Sequence, residues 1–295
     1  MKVAVLDTGV DSGHPALAGK VDAEADFTGS TSPADDNGHG THVSSLIVGS
    51  GAGSDGARRG IAPEADLISG KVLAGDGFGQ ESWVIAGMEW AAAQDADVVN
   101  LSLSSPPADG DDLVSEALDR LSATTGTLFV AAAGNRGNLG ANPYTIGSPG
   151  VAASALTVGA VDAAGKQAIF SSEGPTRGTY RLKPDLSAPG VNLLGARAGA
   201  RDGNLYVAMS GTSQATPLVA GAAALMLQQH PDHTWKQLKA DLTTRADARR
   251  SSTAGPTVAA CSISSWPRLV RCRPISRRST SPTCAIRTRP RAVRC

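Results

Sequence analysis

Hydrophobic positions in this chain follow two patterns. Short continuous apolar runs, closed by glycine or an acid, read as buried strands; longer stretches with apolar residues three and four apart read as helices. Residues 2–6 form the first apolar run, ending at Asp7. It predicts a buried parallel strand with the acid at its carboxyl end and a sharp exit at Gly9. A polar loop over 28–38 leads into a helix over 41–50. Strands follow at 66–73, 97–103 and 127–132, with helices at 80–94 and 112–123 between them. In the first of those helices Trp83, Ile85, Met88, Trp90 and Ala91 carry the spacing. Short strands are expected at 156–158 and 191–194, then a long helix at 212–229 and a last one at 234–242, after Pro231.

Strands alternating with helices imply an α/β fold of three layers, αβα, around a mostly parallel central sheet. In such a sheet the site lies beyond the carboxyl ends of the strands. Asp7, Ser102 and Asn135 all fall there. No internal repeat is visible.

Composition changes this picture in one place. The 295 residues are 41% hydrophobic and net neutral, as in many soluble globular proteins. No apolar run reaches the ~18 residues of a membrane-spanning helix, so no membrane partner is expected. The neutrality hides a break near residue 249. From Arg249 onward there are 11 arginines and no lysine or acid, which leaves 16 basic residues against 27 acidic ones in 1–248. All four cysteines (Cys261, Cys272, Cys284, Cys295) also lie in that tail, so the body cannot depend on disulfides. Two segments are expected: a domain over 1–248 and a basic Arg/Ser/Cys tail over 249–295.

The chemistry sits in glycine-bearing turns beside apolar runs. They are Asp7-Thr8-Gly9, then His39-Gly40-Thr41-His42, then Gly211-Thr212-Ser213-Gln214-Ala215-Thr216-Pro217. A carboxylate, an imidazole and a hydroxyl so placed are what an orienting acid, a general base and a serine nucleophile need. Ser213 would open the long helix, with the helix dipole behind it and Pro217 in its first turn. Taken alone, each motif has a plainer reading: a turn aspartate, a structural histidine, a helix cap. Of the other histidines, His14, His230 and His233 fit solvated or structural roles, and His42 would point elsewhere on the helix start.

With Ala131-Ala132-Ala133-Gly134-Asn135 between the histidine and the serine, the chain resembles the subtilisin-like (subtilase) serine peptidases over about residues 2–242. The resemblance implies a serine endopeptidase working through an acyl-enzyme. Ser213 would be the nucleophile, His39 the base, Asp7 its orienting acid, and Asn135 the side-chain donor to the oxyanion. Substrate would be bound by Ser102, Leu103 and Ser104 on one side and Ala132, Ala133 and Gly134 on the other. Gly147 would lie near the pocket floor, and Gly77 and Gly79 on a second edge strand over 76–80. The family has Gly-Gly where Ser104-Ser105 stand, and these two hydroxymethyl groups would narrow the pocket mouth. No charged residue occupies the pocket positions, which favours apolar or broad side chains over Lys or Arg. No metal is assigned and no cofactor is expected. Calcium is common in the family, but the acid of its His-Pro-Asp-Leu motif is Ala16 here, and Asp35-Asp36 read as solvated loop acids.

The expected partner is a protein or peptide substrate, with a propeptide in the full-length parent; nucleic acid is not expected. The family's N-terminal segment is absent, so the chain reads as part of a longer, secreted parent. Two readings of the tail differ in kind. As an arginine-rich arm it would bind an acidic polymer. As the product of a shifted frame, plausible GC-rich codons over 255–264 reread as Pro-Asp-Gly-Gly-Gly-Val-Leu-Asp-Ile, the closing strand the family carries. We prefer the second reading, which resequencing of the gene tests. The rival for the whole chain is a catalytically silent remnant that keeps the triad letters.

Overall fold

The computed structural model describes residues 1–137 and 143–246. The basic tail over 249–295, with both of its readings, lies outside the described residues.

Seven strands form one parallel sheet: β1 (Lys2–Asp7), β2 (Val21–Asp26), β3 (Asp66–Lys71), β4 (Val98–Leu101), β5 (Leu128–Ala132), β6 (Leu156–Val161) and β7 (Leu186–Pro189). Their order is β2-β3-β1-β4-β5-β6-β7, and every neighbouring pair runs parallel. The chain starts at β1, builds outward to β2 and β3 on one side, then crosses back to β4 on the other. The crevice beyond the carboxyl ends of β1 and β4 is therefore a topological switch point, where ligands bind in open α/β sheets.

Five helices follow from the same pattern: α1 (His39–Val48), α2 (Glu81–Ala93), α3 (Leu113–Thr125), α4 (Thr212–Gln229) and α5 (Trp235–Thr244). One face of the sheet is covered by α2 and α3. There Val84, Met88 and Leu118 pack on Ala4, Leu6, Val99, Leu101 and Phe129. Phe129 is fully buried, worth roughly 1.5–3 kcal/mol by removal from water. On the other face α1 packs against α4, and α4 lies across β4, β5, β6 and β7. The result is the expected three-layer arrangement.

Strand alternation then sorts the chemistry. Successive side chains point to opposite faces. With Ala4 and Leu6 in the α2–α3 core, Asp7 falls on the α1–α4 side; with Val99 and Leu101 in that core, Asn100 does too.

Local signals set the helix ends. Asp112 caps α3 by accepting from the Ser115 N–H at 2.9 Å, and Gly126 closes it at φ 81°. A capping box joins Thr234 and Gln237 at the start of α5. Most of α4 is buried, and it is rich in alanine, with Gly221 where it sits close to a neighbour. A Cβ on Gly221 would stand 2.7 Å from Ile61 Cβ.

Several elements differ from the sequence expectation. Strand β2 was not expected: its acids Asp22, Glu24 and Asp26 give weak strand propensity, but they alternate along a sheet edge. Strand β7 was not expected either. The strand placed at 191–194 is β8 (Leu193–Ala196), and it lies outside the main sheet, in an antiparallel ribbon with β9 (Tyr206–Met209). Pro217 is the sixth residue of α4, beyond its first turn. Among the described residues, no helix is long and apolar enough to cross a membrane.

Candidate active site

Asp7 ends β1 and is fully buried. His39 opens α1, with a quarter of its side chain exposed. The imidazole Nδ1 lies 2.7 Å from Asp7 Oδ1. An ionised carboxylate only accepts, so Nδ1 carries the proton and Nε2 is left as the basic nitrogen. Asp7 Oδ1 also accepts the Thr8 N–H at 2.8 Å, whereas Oδ2 is buried without a donor. Burial works to depress the His39 pKa. The charge of Asp7, its hydrogen bond and the charge of Asp35 outweigh that, and the imidazole is held above its usual 6.5.

The approach of the two residues depends on a glycine. The backbone at Gly40 passes directly under the Gly9 carbonyl, and a Cβ there would overlap that oxygen and stand 3.2 Å from Asp7 Cβ.

Asp35, read from sequence as a solvated loop acid, holds this junction together. Its Oδ1 accepts from Thr8 Oγ1 at 2.8 Å, the Gly38 N–H at 2.7 Å and the Asn37 N–H at 3.1 Å. Its Oδ2 accepts from the Thr41 N–H at 2.8 Å and from the Thr41 hydroxyl. Thr8 Oγ1 in turn accepts the Gly40 N–H at 2.9 Å. Asp36 pairs with Lys71, a buried lysine that also donates to the Thr8 carbonyl at 2.8 Å. Both acids are thus engaged by protein donors. Among the described residues, no three His, Cys, Asp or Glu side chains are grouped to hold a metal ion.

Ser213 is the second residue of α4, after Thr212, and Gly211 is the N-cap. Its carbonyl accepts from Ser102 Oγ at 2.8 Å, and Ser102 Oγ accepts from Asn100 Nδ2 at 3.0 Å. Thr212 links the serine to the loop after β5. Asn135 Oδ1 accepts from the Thr212 N–H at 2.9 Å and from Thr212 Oγ1 at 3.0 Å, and Thr212 Oγ1 accepts the Gly134 N–H at 3.2 Å. With Oδ1 taken, the Asn135 amide has Nδ2 as its free donor. Sequence reasoning had weighed Thr212 only as a helix cap; its fully buried place beside the serine is what gives it this second part.

His39, Ser213, Asn135 and Thr212 line one cleft of about 880 Å³. Ser102, Leu103, Ser104, Gly134, Gly77 and Gly79 line it as well. Ala132 and Ala133 are buried beneath the surface and do not line it, because both backbones run inside the sheet core. Gly147 is likewise buried, behind Ser104 and Ser105. Residues 74–78 form a turn, with the Ala74 N–H donating to the Phe78 carbonyl and the Gly77 N–H to the Ala74 carbonyl, each at 2.8 Å, and Gln80 beyond it is extended. Gly77 takes φ 82° within this turn.

The other histidines lie outside this cleft. His42 is buried, with Nε2 3.1 Å from the Leu193 carbonyl and 3.2 Å from that of Val207, and burial lowers its pKa. His14 is fully buried: Nδ1 accepts the Ala16 N–H, and Nε2 donates to the Leu205 carbonyl at 2.9 Å. His230 and His233 stack on each other beyond α4.

The profile of the subtilase family (Peptidase_S8) matches residues 1–260. The chain is 39% identical over 271 residues to serine protease AprX of Bacillus subtilis, covering 83% of this chain and 61% of that protein. It is 41% identical over 254 residues to the subtilisin of Bacillus pumilus, covering 85% and 86%. It spans about 60% of the length of several such relatives, AprX and subtilisin E among them. Among solved structures, a cold adapted subtilisin-like serine proteinase superposes with a TM-score of 0.72 at 33% identity, covering 88% of each chain.

Proposed function

The chain belongs to the subtilase family, and on that premise we propose that it is a serine endopeptidase whose triad is Asp7, His39 and Ser213. The observation that carries the reading is the 2.7 Å contact between His39 Nδ1 and Asp7 Oδ1 in the cleft that Ser213 also lines. Ser213 Oγ attacks the carbonyl carbon of the scissile bond while His39 Nε2 takes its proton. The oxyanion that forms is held by the Ser213 N–H, at the start of α4, and by Asn135 Nδ2. Protonated His39 then gives its proton to the leaving amine nitrogen, and the C–N bond breaks to leave an acyl-enzyme. Water, deprotonated by His39, attacks the ester carbon; the new carboxyl product leaves as Ser213 Oγ recovers its proton. Asp7 fixes the imidazole tautomer and stabilises the imidazolium in both halves.

The substrate is a protein or extended peptide. The same reading places the parent protein outside the cell and gives it a propeptide. Hydrolysis of denatured casein by the purified chain, abolished in Ser213→Ala, tests the activity; casein turnover that persists in the variant refutes the assignment of the nucleophile.

A further inference from the structure

In the part of the cleft bounded by Gly134 and Ser148, the Ser104 side chain stands against Gly134 and in front of the buried Gly147. A Cβ on Gly134 would lie 3.0 Å from Ser104 Oγ and 2.9 Å from Ser172 Oγ. A Cβ on Gly147 would overlap the same Ser104 Oγ and the Ser105 carbonyl. The space that both glycines leave open is therefore taken up by the Ser104 hydroxymethyl group.

The far wall is fixed. The Ser105 N–H donates to the Ser148 carbonyl at 2.8 Å, and the Ser148 N–H donates to Ser105 Oγ at 2.9 Å. Behind that wall the Asp112 oxygens are taken up by protein donors. Its Oδ1 accepts from the Ser115 N–H and from Ser148 Oγ, and its Oδ2 accepts from Ser115 Oγ. Ser104, Ser148 and Ser172 thus bring three hydroxyl-bearing side chains to this part of the cleft. A long aromatic or aliphatic side chain would have to displace Ser104 and bury itself against Ser148 and Ser172. A methyl or hydroxymethyl group would enter without rearrangement.

We infer that Ser104 sets the depth of the pocket for the residue preceding the scissile bond, and that the substrates carry a small residue there, alanine or serine. The inference rests on the peptidase reading above. Differences of this size in a pocket change kcat/KM by about 10–200-fold.

The test uses tetrapeptide p-nitroanilides that differ only in the last residue, Ala, Leu or Phe, after active-site titration with a fluorophosphonate. The parent should favour Ala over Phe by about tenfold or more. Ser104→Gly should raise the Phe/Ala ratio by at least about tenfold, with Ser104→Ala, which removes only the hydroxyl, moving it part of the way. An enzyme that titrates fully but prefers Phe, or whose ratio is unchanged in Ser104→Gly, overturns the inference and leaves the peptidase reading standing. A folded chain that does not titrate overturns both.

Discussion

Ser102 donates its hydroxyl to the carbonyl of Ser213 at 2.8 Å, and that carbonyl is the one Pro217 has no N–H to bond. A proline inside a helix leaves the carbonyl four residues before it without its intrahelical donor. Ser102 supplies the missing donor from the end of β4, and Asn100 orients it. The first turn of α4 is thereby tied to the sheet at a residue that lines the cleft. Ser102→Ala should cost about 1–2 kcal/mol in stability. It should also lower kcat, because the serine backbone is freed. Urea unfolding and steady-state kinetics on one peptide substrate check both parts.

Asp35 accepts five hydrogen bonds from Thr8, Asn37, Gly38 and Thr41, and so joins the exit of β1 to the start of α1. Asp35→Ala leaves these donors without a common acceptor. The expected loss is about 3 kcal/mol or more. At roughly 2–4 °C per kcal/mol for a chain of this size, the melting midpoint should fall by at least about 6 °C. Differential scanning calorimetry of the two proteins reads this directly, and an unchanged midpoint would contradict the role.

His39 must be neutral to act as a base, and its pKa is raised in the folded protein. The acid limb of kcat/KM should therefore have its midpoint above 6.5. Asp35→Asn should move that midpoint down, since one of the negative charges that raise it is removed. For stability the sign runs the other way. The protonated imidazole contributes stability fully below the unfolded-state value, and the contribution is lost as pH rises through the raised folded-state value. A pH–rate profile of both proteins tests the first statement, and unfolding free energies on either side of the limb test the second.

Lys183 is buried far from the cleft. Its Nζ donates to the Ala155 carbonyl at 2.7 Å, Thr157 Oγ1 at 2.8 Å and Asp185 Oδ2 at 2.7 Å. Burial pushes its pKa down to about 7, against the pull of Asp185 and with Lys239 adding to the fall. Between that value and the ordinary lysine range the unfolded chain holds the extra proton, so this group makes stability rise with pH. Lys183→Met should flatten the rise between pH 7 and pH 9 relative to the parent, as measured by urea unfolding at the two values.

Much of the fold was legible because burial wrote it into apolar runs. The long helix at 212–229 has the bounds of α4, and the strands at 66–73 and 127–132 overlap β3 and β5 to within two residues. Strand β2 was hidden because its outward acids look like a loop, and β9 because four residues carry too little pattern. At the site, Asp7, His39 and Ser213 stood out since each closes or opens an apolar element. Their supports did not. Thr8 reaches Asp35 from 27 residues away, and Thr212 contacts a loop 77 residues away. Such knots exist only once the sheet has brought those segments together.

The most direct measurement is labelling of the purified full chain with a fluorescent fluorophosphonate, beside its Ser213→Ala and His39→Ala variants. The account predicts labelling of the parent alone, because the reagent needs an activated serine and a formed oxyanion site. No labelling of a folded parent, or labelling that survives in Ser213→Ala, would contradict it.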